Sequence, residues 1–224
     1  RHNQDALVIV REFNLNSLSE PESFTLTSND VIQDVISSGL TADELYGMEY
    51  EGGLIFDIDS ITGKGKVAYY TNTSKSFQCF YEETPYPYSY PEVITTDDDG
   101  MQNTINIASA CPTSITGASH ALNYISEEGF DNWYVPTKNE TQLIYENLSL
   151  NYKIISWPGD ILTSEVYDEV NYWRAKIGLS SYPEDIEMSF STEYRHNQDA
   201  LVIVREFNLN SLSAPELSPA LESF

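Results

Sequence analysis

The chain has 224 residues, enough for one large domain or two small ones with a genuine core. Its 11 Lys and Arg stand against 35 Asp and Glu, a formal charge of −24, so phosphate backbones and anionic membranes are repelled and nucleic acid is excluded as a natural partner. With 41% hydrophobic and 12% aromatic residues it falls outside the disordered acidic class, and no apolar run approaches the roughly 20 residues of a membrane-spanning helix. No charged-then-apolar leader opens the sequence, and a folded, soluble chain without membrane insertion is the expectation.

The chain opens on a string that it repeats. Residues 1–19 read RHNQDALVIVREFNLNSLS, and residues 195–213 read the same without a substitution. Such an identity points to tandem modules, with an artefactual duplication as its alternative source. The expected organisation is residues 1–28 as the tail strand of a preceding repeat plus linker, 29–213 as one module, and 214–224 as a linker to a following repeat. Within the repeated cassette the run from Asp5 to Phe13 is apolar and β-branched, which suits a strand buried on both faces. Asp5, Leu7, Ile9 and Phe13, with their twins Asp199, Leu201, Ile203 and Phe207, are the candidate assembly-strand residues. The cassette's own charges cancel, so the acidic surplus lies in the unique part of the chain, notably in residues 20–51 and 82–99, which hold no Lys or Arg.

Residues 15–27, rich in Ser, Pro, Glu and Asn, read as a linker. Residues 29–38 have the spacing of a short amphipathic helix. Gly52-Gly53 opens an apolar strand through Ile58, and the turn Thr62-Gly63-Lys64-Gly65-Lys66 leads to a second strand at Val67-Ala68-Tyr69-Tyr70, a hairpin. Residues 77–91 form an aromatic, proline-rich loop carrying Tyr81, Tyr86, Tyr88 and Tyr90. Helices are expected over 103–110 and 117–127, the second closed by Gly129, and a strand at Trp133-Tyr134-Val135. A third helix begins after Pro136, with Thr137 and Glu140 at capping-box spacing and Leu143, Ile144 and Leu148 on its buried face. Residues 157–183 show no clear element, and 189–194 with 199–207 form a closing pair of strands. The fold class is α+β, with antiparallel terminal strands, two to three helices and a long irregular insertion.

Four ordered blocks carry a family resemblance: Gly52-Gly53-Leu54-Ile55-Phe56; Asp99-Gly100 with Asn103-Thr104; Gly129-Phe130-Asp131-Asn132-Trp133-Tyr134-Val135-Pro136-Thr137-Lys138-Asn139-Glu140; and Ser189-Phe190-Ser191-Thr192-Glu193-Tyr194. Together they resemble the C-terminal domain family of the Legionella collagen-like adhesin, a bacterial and phage family with the pattern GG-hydrophobic-F, DWYLPSK-acid-E-L and WSSTEY. The resemblance implies a C-type-lectin-like fold, akin to the formylglycine-generating enzyme and to phage receptor-binding domains. Phe190 stands where that pattern often has Ser, and Met188 where it often has Trp. The family fixes no ligand set that carries over to this chain.

Cys79 and Cys111 are the only cysteines; a disulfide between them suits an extracellular setting, and two small buried hydrophobes are the alternative. A paired reactive-cysteine signature of oxidase chemistry is missing, as are G-x-S-x-G, H-E-x-x-H and a phosphate-cradling glycine loop. The three histidines are too few and scattered for zinc, so no catalytic residue and no cofactor is assigned. Asp97, Asp98 and Asp99 are candidate Ca²⁺ ligands that lack EF-hand spacing. Trp157, Trp173, Arg174 and Tyr182, with Tyr86 and Tyr88, are candidate ligand contacts, since flat aromatic faces beside polar groups suit sugar rings; pinning a long loop to the core is the alternative role for the tryptophans. The expected function is a non-enzymatic, extracellular, cell-surface or virion-displayed module of a tandem-repeat protein, for adhesion to a glycan or receptor or for structural assembly. The alternatives are a filament subunit that exchanges strands with neighbouring copies through the cassette, and an enzyme related to the formylglycine-generating enzyme.

Overall fold

The computed structural model describes residues 41–79, 89–150, 160–179 and 186–208. The helix expected over 29–38, both linkers and the N-terminal cassette lie outside the described residues. A short 3₁₀ turn at Ala42–Leu45 leads into the two-residue strand β1 (Glu49–Tyr50). The hairpin read from the glycines is present as β2 (Gly53–Ile58) and β3 (Lys64–Ser76). Its turn is fixed by the Asp59 carboxylate, which accepts the Ile61 and Thr62 amides, and by Gly63 in the left-handed region at φ 71°.

Three helices follow, each with a side-chain cap. Asp99 accepts the Gln102 amide at the start of α1 (Gly100–Ala110), and reciprocal capping boxes open α2 (Gly117–Leu122) from Thr116 and Ser119, and α3 (Lys138–Ile144) from Thr137 and Glu140. A wider π turn, Tyr145–Leu150, prolongs α3 and buries Leu148 beside Ile144. The second helix stops earlier than its pattern implies: it is capped at Asn123, and Gly129 serves a later turn rather than the helix end. Leaving the helix lets the Tyr124 ring stack on Tyr69 and meet Trp133 edge-on.

The irregular insertion is corrected most. β4 (Ile161–Val166) and β5 (Asn171–Leu179) are strands, and β5 runs antiparallel to β6 (Ile186–Tyr194). Nor do the two closing strands pair with each other. β7 (Gln198–Asn208) lies at the centre of a seven-stranded sheet of order β1-β2-β3-β7-β4-β5-β6, antiparallel to β3 and parallel to β4, so β4 and β5 intervene between β6 and β7. The N-terminal hairpin and the closing strand do meet antiparallel, through β3 and β7, while the parallel pairing of β4 with β7 makes the sheet mixed. Tyr134 extends the sheet by one bridge to Val204, exchanging both amide–carbonyl bonds at 2.9 and 2.8 Å.

β7 is buried on both faces because both are covered. Leu201, Ile203 and Phe207 pack with Ile55, Val67, Ile107, Ala118 and Trp133 on the side of α1 and α2. Val202 and Val204 pack with Phe56, Ala68, Tyr134, Ile144 and Leu148 on the side of α3. Each such aliphatic side chain contributes about 1.5–3 kcal/mol when fully withdrawn from water, so this strand carries a large share of the core. The chain is thus an α+β protein with one mixed sheet between helical layers.

Candidate functional site

The repeated cassette gives the structure its most specific set of contacts. At its start Arg195, 3% exposed, donates to the Gln78 side chain and to the Asp168 carbonyl, while His196 stacks between Tyr90 and Tyr194. Four residues on, the Asp199 carboxylate accepts from the Tyr172 hydroxyl and from Arg174. Burial pushes the Asp199 carboxyl above its ordinary range, against the pull of Tyr172 and Arg174, and burial beside Asp199 pushes the Tyr172 phenol up as well. Near the end Arg205 pairs with Glu51, donates to the Asp131 carbonyl and lies 4.7 Å above the Phe130 ring. Glu51 is held for this contact in the left-handed region at φ 47°. Phe207 closes the strand against Tyr50 and the bare Cα of Gly65.

Of the predicted strand residues, Asp199, Leu201, Ile203 and Phe207 therefore sit together in one slot; Asp5, Leu7, Ile9 and Phe13 lie outside the described residues. Nothing in the sequence pattern pointed to Arg195, Arg205 or Glu51, whose partners are remote along the chain.

Of the candidate ligand residues, the two described ones, Trp173 and Arg174, do not converge. Trp173 and Arg174 are neighbours in β5 and so face opposite sides of the sheet. The Lys138 ammonium lies 4.3 Å from the centre of the Trp173 ring, and Tyr167 meets that ring edge-on. A sugar stacking on the indole would have to displace one of them. Arg174 has its guanidinium occupied by Asp160 at 2.8 Å, Glu193 at 3.0 Å, Asp199 at 3.4 Å and the Ser191 hydroxyl at 3.2 Å. Trp157, Tyr182, Tyr86 and Tyr88 lie outside the described residues.

Cys79 and Cys111 form a disulfide that ties the segment after β3 to the end of α1, with Cα atoms 5.7 Å apart. Asp97 and Asp98 are exposed, and Asp99 is engaged as the α1 cap. Among the described residues no three His, Cys, Asp or Glu side chains converge as metal ligands.

Two buried charge clusters were not foreseen. Glu140, beyond its capping role, accepts from Lys66 and from the Tyr134 hydroxyl, both at 2.7 Å. Burial works against the Lys66 ammonium, but Glu140 outweighs it and the pKa of Lys66 is raised; burial and Glu140 together push the Tyr134 phenol up. Glu165 accepts the Lys138 amide and lies 3.6 Å from its ammonium, and burial still raises its carboxyl. The capping-box spacing was the signal for Glu140; Glu165 had none. A cleft of about 720 Å³ opens beside Glu51, Asp59, Lys64, Lys66, Arg205 and Asn208, with both signs of charge on its walls and Lys66 and Arg205 held in ion pairs. Among the described residues no helix is long and apolar enough to cross a membrane.

No protein-family model matches the sequence, and no curated protein matches it either.

Proposed function

We propose that the chain is a non-enzymatic module of a tandem-repeat protein, C-type-lectin-like in fold and displayed outside the cell or on a virion, whose work is assembly with further copies of itself. One observation carries this reading: the string that the chain repeats is the central strand of the sheet, so the period of the sequence coincides with the closing of a folded unit. Tandem domain arrays are built from such units, each with its own core and joined to the next by a linker. The disulfide agrees with an oxidising compartment, and the acidic surface keeps dense arrays of modules dispersed.

The test is excision. A fragment spanning residues 29–213 should fold cooperatively by itself, and two such units in tandem should melt at the temperature of one. A fragment that unfolds without residues 1–28 sinks the reading. Adhesion to a surface glycan is the second reading, and it requires the half-buried Trp173 indole to exchange its Lys138 or Tyr167 contact for a sugar face. It predicts glycan-array binding that Trp173→Ala abolishes, and a blank array refutes it.

A further inference from the structure

Among the described residues, the slot that holds β7 is lined by the unique part of the chain. Its polar anchors are Glu51, Gln78, Asp131, Asp168, Tyr172 and Arg174, and its apolar walls come from β2, β3, α1, α2 and the π turn. The chain holds two keys to this one slot, since Arg1, Asp5, Leu7, Ile9, Arg11 and Phe13 repeat Arg195, Asp199, Leu201, Ile203, Arg205 and Phe207 at the same spacing.

We infer that the N-terminal cassette of a chain substitutes for β7 in that chain's own slot whenever β7 is removed, damaged or displaced. The inference rests on the reading of the repeat as the closing strand. Side-chain contacts do not discriminate between the copies, because both present the same residues to the same partners; only their tethers differ. The resident copy follows β6 directly through the turn at 195–197. With the other copy in place, Asn14 would stand where Asn208 does, opposite Lys64 at the start of β3. From there residues 15–40 have to return to Thr41, eight residues ahead of β1, which lies three strand spacings across the sheet and four residues along β3, roughly 20 Å away. Twenty-six residues span about 85 Å when extended and about 28 Å as a flexible coil. The tether therefore reaches with slack, and its effective concentration, of millimolar order, exceeds that of a neighbouring chain in dilute solution. Substitution within the chain is favoured over exchange between chains for that reason.

The experiment uses the 224-residue chain and three variants, Ile9→Asp, Ile203→Asp and the double variant, followed by thermal melting, light scattering and hydrogen exchange. Ile203 is fully buried in the centre of the sheet, where a carboxylate has no partner. Ile203→Asp should keep a cooperative transition as a monomer, with the unmutated peptide at residues 5–13 newly protected from exchange. Ile9→Asp should melt like the parent, and the double variant should lose its transition. If Ile203→Asp unfolds as completely as the double variant, substitution is overturned while β7 stays the closing strand. If it folds only as oligomers, the N-terminal cassette serves a neighbour's slot and the intrachain inference is overturned. A double variant that still melts cooperatively overturns both this inference and the reading of the repeat as the closing strand.

Discussion

Removing the disulfide with Cys79→Ala/Cys111→Ala should cost about 3.5–4 kcal/mol. The bond closes a loop with a sequence separation of 32. In the chain-entropy treatment a cross-link of that length withdraws roughly 12 cal/mol/K from the unfolded ensemble, which at 25 °C is about 3.7 kcal/mol. For a folded unit of this size each kcal/mol lowers Tm by roughly 2–4 °C, so the double variant should melt about 7–15 °C below the parent. Urea titrations of both proteins, followed by circular dichroism without reductant, give the free energies. Since the effect lies in the unfolded chain, the denaturant slope should also rise as that chain expands. Cys111 is buried, and its truncation adds a small packing loss in the same direction. A difference under about 1 kcal/mol with an unchanged slope would refute the entropic assignment, because the native contacts of Gln78 with Pro91 and of Asn103 with Thr96 leave the unfolded chain unconstrained.

Gly65→Ala places a Cβ 2.3 Å from the Phe207 ring and 2.7 Å from the Asp57 carbonyl; the ring can turn away but the backbone cannot, so a loss of about 1–3 kcal/mol is expected in thermal unfolding. Glu140→Ala strands the Lys66 ammonium and the Tyr134 hydroxyl and opens the α3 capping box, and should cost about 3–5 kcal/mol, with Glu140→Gln recovering part of that in the same melts. The buried carboxyls of Glu165 and Asp199 titrate above their unfolded values, so their contribution is full below the unfolded carboxylate range and is lost as pH rises through the folded one. Stability should therefore increase on acidification from pH 7 towards about 5, and Glu165→Gln/Asp199→Asn should flatten that rise; a Tm that falls over the same window in the parent contradicts the assignment.

What was legible in the sequence was local. The α3 start was readable from Thr137 and Glu140 because a capping box involves residues three apart, and the hairpin at Gly53–Ser76 from its glycine turn. β7 stood out because five successive apolar residues, Ala200 to Val204, fit a strand covered on both faces. β5 did not, since NYWRAKIGL gives one face Tyr172 and Arg174 and the other Trp173 and Ala175, a mixture that becomes intelligible only when β6 and α3 are in place. Pairing β6 with β7 was the default for strands adjacent in sequence, and the structure departs from it by inserting β4 and β5. Arg195 and Arg205 illustrate the remaining gap. Their partners Gln78 and Glu51 lie more than a hundred residues away, and no pattern within a window reaches that far. The candidate contacts at Trp173 and Arg174 were adjacent in sequence and separated in space by the pleat alone.

The position of β7 also decides how the sheet holds together. β3 and β4 share no ladder; each is hydrogen-bonded to β7, so without that strand the sheet falls into β1-β2-β3 and β4-β5-β6, two antiparallel halves joined by α1, α2 and α3. Neither half could bury both of its faces, because Leu201 and Ile203 fill one side of the interior and Val202 and Val204 the other. Cooperativity therefore depends on the described strand that ribosomal synthesis delivers last, whose register partners in β3 lie some 120 to 145 residues upstream. Such a topology closes slowly, and until it closes it presents two half-sheets with open edges to neighbouring chains.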